Sequence, residues 1–197
     1  LDLASFCDTL TPEYAGPITT GRSLASPAGF AQAWLAACQS LGVIAEFAHL
    51  HPWHACLECL DPQHLGLDRE IVYIDLTSSI EKLREESFTY ACRKNLRRAE
   101  AEGIEVHPAL DRQGVIEFYR IYTATMDRNN ALDSYYFPLE YFMSFFEEMP
   151  DHACFMMATH QGKTVAGTLY LHDDTDVYSY LGGAYHEYQQ MRPSNAV

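Results

Sequence analysis

The sequence predicts a mixed α/β fold in which helices lead into an antiparallel meander, and three observations predict it. Apolar residues recur at helical spacing from Phe30 to Leu41 and again from Val115 to Met126. Three strand-like runs, "ACFMMATH", "TVAGTLYLH" and "DVYSYLGGAY", then follow one another near the C-terminal end. The words between those runs, "QGK" and "DDTD", are hairpin chemistry, so the runs pair antiparallel. Helices followed by an antiparallel meander give a mixed α/β class with an α+β mixed sheet.

Each element has its own local reason. Ser26 can cap a helix, Pro27 suits its first turn, Phe30, Trp34, Leu35, Cys38 and Leu41 make its apolar stripe, and Gly42 stops it. "VIAEFAHL" then alternates as a strand. From His51 to Arg69 the chain is irregular, with Pro52, Pro62 and Gly66, and reads as loop or broken strands. "EIVYIDL", Glu70 to Leu76, resumes as a strand, and "TSS" caps a short helix over "IEKLREE". A basic helix runs from Phe88 to Glu102 and is closed by Gly103, ahead of the strand "IEVHPA". Asp111 caps the helix that carries Val115, Phe118, Tyr119, Tyr122 and Met126, and Pro138 opens the helix "FPLEYFMSFFEEM".

A chain of 197 residues with 48% apolar and 20% charged residues can bury a core as one large domain or two small ones. The best boundary lies near Glu85 to Ser87, where the basic helix begins. No run approaches the ~18 apolar residues of a membrane span and no secretory leader is legible, so a cytoplasmic protein is expected. Leu1 stands where an initiator Met would, and "RPSNAV" reads as a helix just begun, so both ends are expected to be cut from a longer protein. The six cysteines, mostly inside apolar runs, read as reduced thiols.

Net charge of −14 argues against general polyanion binding, yet Lys82, Arg84, Arg93, Lys94, Arg97 and Arg98 concentrate six of the thirteen basic residues in one segment. A solvated helix face is the plain reading; a guanidinium face turned to a phosphate-bearing substrate is the sharper one. The cluster "HLHPWHACLEC" invites a zinc site through His49, His51, His54, Cys56 and Cys59. All five lie in one segment with no second pair elsewhere, so a polar strand-to-loop segment is expected instead. Its CxxC does not open a helix in a thioredoxin-like βαβ setting, so it is not expected to be a redox site.

"SFTYACRKNLRRAEAEGIEV" resembles the FemAB family and its acetyltransferase-like relatives, in which an Arg-x-Asn-Leu/Ile-Arg-x-Ala core precedes a glycine and a strand. "YRIYTATMDRNNAL" is similar to that family's Thr-Met-x-Arg stretch, "GKTVAGTLYLHDDTDVYSYLGGAY" to its glycine-bearing hairpin, and "AEFAHLHPW" to its strand ending in His-Pro, with His49 and Leu50 in place of Arg and an aromatic. "EYAGPI", Glu13 to Ile18, resembles the family's Tyr-Gly-Gly-Pro loop, Ala15 departing from a glycine. The similarity covers roughly residues 44 to 197.

The resemblance implies a GNAT-like fold: one partial first unit over residues 1–87 and a second unit, 88–197, truncated at its C-terminus. It implies an N-acyltransferase or aminoacyltransferase moving an acyl group to an amine of a cell-envelope precursor, peptidoglycan or polysaccharide. The donor would be acyl-CoA or aminoacyl-tRNA, a co-substrate rather than a bound cofactor. The acceptor would be a small-molecule or lipid-linked amine. No covalent nucleophile is needed, and no Gly-x-Ser-x-Gly elbow is present. Under this reading Tyr178, Tyr180 and Asp127 are the candidate catalytic residues, with Glu46 a further carboxylate. Arg93, Arg97, Arg128, Arg192 and Ser194 are the candidate binding residues, the last two at the start of a helix that would hold a pyrophosphate. The Gly-rich coenzyme A loop of GNAT enzymes is absent. The alternatives are a non-catalytic GNAT-like scaffold and the zinc protein above.

Overall fold

The structure is a computed structural model, and it describes residues 7–17, 26–53 and 56–197, with the side chains of residues 9–13 outside the description. The chain divides into two compact units, Leu1–Val72 and Tyr73–Val197.

In the first unit, strand β1 (Cys7–Ala15) pairs parallel with β2 (Val43–Leu50), and helix α1 (Pro27–Ser40) joins them. The helix starts as its cap predicts: Ser26 Oγ accepts from Gly29 N at 3.1 Å. It stops at Gly42, whose φ of +72° suits glycine. Of the expected stripe only Cys38 is buried, while Trp34, Leu35 and Leu41 are exposed, because two strands offer too little surface to cover it. β1 is not legible from alternation. Its pairing is irregular between Thr11 and Tyr14, where Pro12 can donate no ladder bond. The end of β1 takes up Glu13 to Ala15 of the expected loop, while Gly16 has a φ of +111° and Ile18 lies outside the described residues.

The described residues of 51–69 include two short 3-10 turns, Leu57–Cys59 and Pro62–His64. The strand expected over Glu70 to Leu76 does not form. Its backbone joins no ladder, and Val72 is 97% exposed. A strand needs a neighbour for its N–H and C=O groups, which alternation alone does not supply.

The second unit opens with a short helix, α2 (Ile80–Lys82), capped by Ser79 and continuing as a π turn through Ser87. Helix α3 (Tyr90–Ala101) follows, capped by Thr89 and ended at Gly103 with φ +73°. Arg93 binds this stretch together, its guanidinium donating to the carbonyls of Arg84, Glu85 and Phe88. These bonds tie the π turn to the start of α3.

Strands β3 (Ile104–Pro108), β4 (Ala153–His160), β5 (Lys163–His172) and β6 (Val177–Ala184) form one antiparallel sheet in sequence order. Both expected hairpins are present. Gln161 and Gly162 have φ of +50° and +77°, the left-handed pair a tight hairpin requires. Asp173 Oδ1 accepts from the backbone N–H groups of Thr175 and Asp176 and organises the other turn. Helices α4 (Arg112–Asn129) and α5 (Leu139–Glu148) close one core with the sheet, built on Val115, Phe118, Ile121, Tyr122, Phe142, Phe155, Met157 and Leu169. Gly167 permits this packing, since a Cβ there would stand 2.9 Å from the Phe118 ring.

Tyr122 is 1% exposed and donates its hydroxyl to Tyr135 O at 2.7 Å. Burial first, then the neighbouring Tyr141 and Tyr135, push its phenol up to about 12. An unfolded tyrosine releases its proton near pH ~10, so the folded state holds more protons above that pH. The contribution to stability is complete below pH ~10 and is lost as pH rises toward the folded value. Urea midpoints of Tyr122→Phe should show a shallower alkaline decline than the parent, at a cost of about 1 kcal/mol at neutral pH for the lost hydrogen bond. An unchanged alkaline limb would contradict the assignment.

Candidate active site

The second unit contains an open cleft of about 300 Å³ lined by Ala124, Arg128, Tyr185, His186 and Glu187. One wall is α4, where Glu117, Arg120, Ala124 and Arg128 follow at spacings that keep them on one helical face. The other is the turn after β6, the 3-10 segment His186–Met191.

The walls are held by the end of β6, an edge strand of its sheet. There the backbone of Ala184 is satisfied by α4: its N–H donates to Thr125 Oγ1 at 3.2 Å, and its carbonyl accepts from Arg128 Nη1 at 2.8 Å. Thr125 also donates to Ile121 O at 2.8 Å, so its buried hydroxyl both donates and accepts. Gly183 makes this approach feasible, because a Cβ there would lie 2.5 Å from Thr125 Oγ1 and 3.1 Å from Ile121 O. Arg128 thus carries its charge at the cleft wall with one donor already committed, which restricts where the rest of the fork points.

Around Tyr185 the field is mixed. Burial raises its phenol pKa most, the Glu117 carboxylate adds to that, and Lys163 and Arg120 offset part of it. A phenol is protonated at neutral pH, so this hydroxyl is available as a donor. Lys163 donates to Tyr188 Oη at 3.1 Å, lies 4.9 Å from that ring's centre and is 3.9 Å from Glu187. The hydrogen bond to Tyr188 is the main reason its pKa is raised. A cation, a neutral phenol, an imidazole and a carboxylate therefore share one open cleft.

The model of the FemAB family matches residues 60–164, which is 105 of the 197 residues when counted inclusively. The chain belongs to the FemAB family. Among solved structures it is similar to one titled "Crystal structure of FemX", with a TM-score of 0.53 and 13% identity over 60% of this chain and 45% of that one. At that identity the likeness is one of fold, and the chain spans less than half the length of FemX. No curated protein matches it. Among the described residues no helix is long and apolar enough to cross a membrane.

Of the residues that the FemAB resemblance singled out, the structure brings only Arg128 to the cleft. Asp127 is its chain neighbour, but successive helical residues point ~100° apart, and Asp127 is exposed and accepts from Tyr136 Oη at 3.0 Å. Tyr178 and Tyr180 lie toward the opposite end of β6. At the ~3.3 Å rise of a strand residue, Tyr180 is about 13 Å from Ala184 along the strand. Tyr180 shares a hydrogen bond with Tyr141 and packs on Phe145, a largely apolar setting. Arg93 is occupied by backbone carbonyls, as described above, and Arg97 donates from Nε to Arg93 O. Glu46 accepts from the Trp34 indole at 2.8 Å in the first unit.

The expected capped helix at "RPSNAV" is corrected to a three-residue 3-10 turn, Pro193–Asn195. The fixed φ of Pro193 starts that turn one residue before Ser194, so Ser194 sits inside it and no side chain caps it. Arg192 precedes it at a φ of +63° and is exposed. Of the zinc alternative, His54 lies outside the described residues. Among the described residues no three His, Cys, Asp or Glu side chains gather as a ligand set.

Ala124, Thr125, Tyr185, His186 and Glu187 were not singled out from sequence as site residues. The signals were present: two glycines inside a strand pattern mark a close backbone approach, and "YHEY" places polar side chains directly after a strand end.

Proposed function

We propose that this chain is the cleft-bearing part of a cytoplasmic FemAB-family transferase that moves an aminoacyl or acyl group to an amine of a cell-envelope precursor. The β3–β6 unit then plays the part of a GNAT-like unit. The observation that carries the reading is the convergence of Arg128, Tyr185, His186 and Glu187 on one cleft in a FemAB chain.

Direct transfer needs three things, and the cleft offers a group for each. The acceptor must be a neutral amine, and Glu187 or His186 can take its proton as nitrogen attacks the carbonyl carbon. The oxygen that becomes negative needs a positive partner, and Arg128 stands at the wall. The bond from carbonyl carbon to the donor's oxygen or sulfur then breaks, and the protonated Tyr185 can supply a proton to that leaving atom. The amide product retains the acyl group on nitrogen. Tyr178 and Tyr180 would act on substrate reaching along β6, Asp127 on substrate at the end of α4, and Arg97, Arg192 and Ser194 on an extended phosphate-bearing donor.

The test is incubation of the full-length protein with amine-bearing peptidoglycan or polysaccharide precursors and a labelled donor, aminoacyl-tRNA in one arm and acyl-CoA in the other. Label entering an amide in one arm identifies the donor and supports the reading. Folded protein that transfers nothing in either arm favours a non-catalytic scaffold.

A further inference from the structure

The CxxC of the first unit is not absorbed by the transfer reaction. Cys59 Sγ donates to Cys56 Sγ at 2.9 Å, although both cysteines are free thiols. That contact is within about 1 Å of the ~2.05 Å length of a sulfur–sulfur bond. The backbone holds it in place: Cys59 N–H donates to Cys56 O at 3.1 Å, and Cys56 N–H donates to Pro17 O at 2.9 Å. Cys59 is 5% exposed, whereas Cys56 is half-buried and reachable.

We propose that Cys56 and Cys59 are a reversible thiol–disulfide site that closes on contact with a low-molecular-weight disulfide. Cys56, as its thiolate, attacks one sulfur of the external disulfide and expels the first thiolate, leaving a mixed disulfide. Cys59 then loses its proton and attacks Cys56 Sγ, and the second external thiol leaves. Two protein thiols are oxidised, one external disulfide is reduced to two thiols, and the protons go to those thiols. The hydrogen bond to Cys56, with burial, pushes the Cys59 thiol up to about 11, which suits the resolving role rather than the attacking one.

The ring closed is short and removes little chain entropy, so its state is governed by redox potential rather than by stability. Cys56 N–H on Pro17 and His51 N–H on Ala15 fasten the segment after β2 to the end of β1, so closure stiffens that junction. This inference is independent of the transferase reading.

The test equilibrates the full chain with reduced and oxidised glutathione at graded ratios, quenches with acid, alkylates free thiols and digests with a glutamate-specific protease. Cleavage after Glu46 separates Cys38 from the pair, and cleavage after Glu58 leaves fragments that only a Cys56–Cys59 bond joins. The expected result is a joined fragment two hydrogens lighter, formed within the glutathione range and released by dithiothreitol. In Cys59→Ser, Cys56 should retain one glutathione; in Cys56→Ser, Cys59 should remain a thiol. A Cys38–Cys59 link, two free thiols in fully oxidised buffer, or stoichiometric zinc held by both sulfurs would each overturn the proposal.

Discussion

Phe118→Ala is expected to cost about 3–5 kcal/mol, the range for truncating a fully buried aromatic. Phe118 has no exposed surface and its ring meets Phe155 at 5.0 Å, Phe142 at 5.4 Å and Tyr122 at 6.3 Å between centroids. It also covers the bare backbone of Gly167 on β5. Removing the ring opens a cavity among α4, α5 and the sheet, which those elements can refill only by moving together. Since a domain is stable by about 5–15 kcal/mol in total, this single change consumes much of that margin. Leu110→Ala, at a side chain 86% exposed in the same unit, should change stability by no more than about 0.5 kcal/mol. Urea denaturation followed by tryptophan-independent far-UV signal checks both. A loss below 1 kcal/mol for Phe118→Ala would mean that the core does not depend on this ring.

Arg128→Ala should lower kcat/KM in the transfer assay by roughly 10- to 100-fold, from about 1.5–3 kcal/mol for a charge-assisted contact. The fold should survive, because Thr125 still holds Ala184 from α4. Arg128→Lys should recover only part of the loss: an ammonium restores charge but not the fork that binds Ala184 O and reaches the cleft at once. Arg112→Ala removes an exposed arginine paired with Glu147 at 2.6 Å and should leave kcat/KM within about twofold. Equal losses for Arg112 and Arg128 would remove the cleft from the mechanism.

The local grammar of the chain was sufficient for most of the second unit. Asp111, Pro138 and Gly103 mark their helix ends because caps and glycines act on the residues next to them, and the left-handed pair at Gln161 and Gly162 does the same for a hairpin. FemAB membership was legible too, in "RKNLRRAEAEG" and "TMDR". Where the arginine donors point was not legible, for a physical reason. Sequence displays a charge but not the carbonyls that will surround it, so Arg93 looks like a phosphate ligand until its three carbonyl partners are placed beside it.

Element types, caps and turns were determined by residues a few positions apart, and the amino-acid order contains that information in full. Pairing and site geometry depended on groups far apart in the chain. Glu70 to Leu76 has the pattern of a strand and finds no ladder, β1 lacks the pattern and finds one, and Arg128 meets Ala184 only because Gly183 lets a helix approach a strand edge. Hydrogen-bond partners across such separations are chosen by packing in three dimensions, which is why the cleft emerged only from the folded chain.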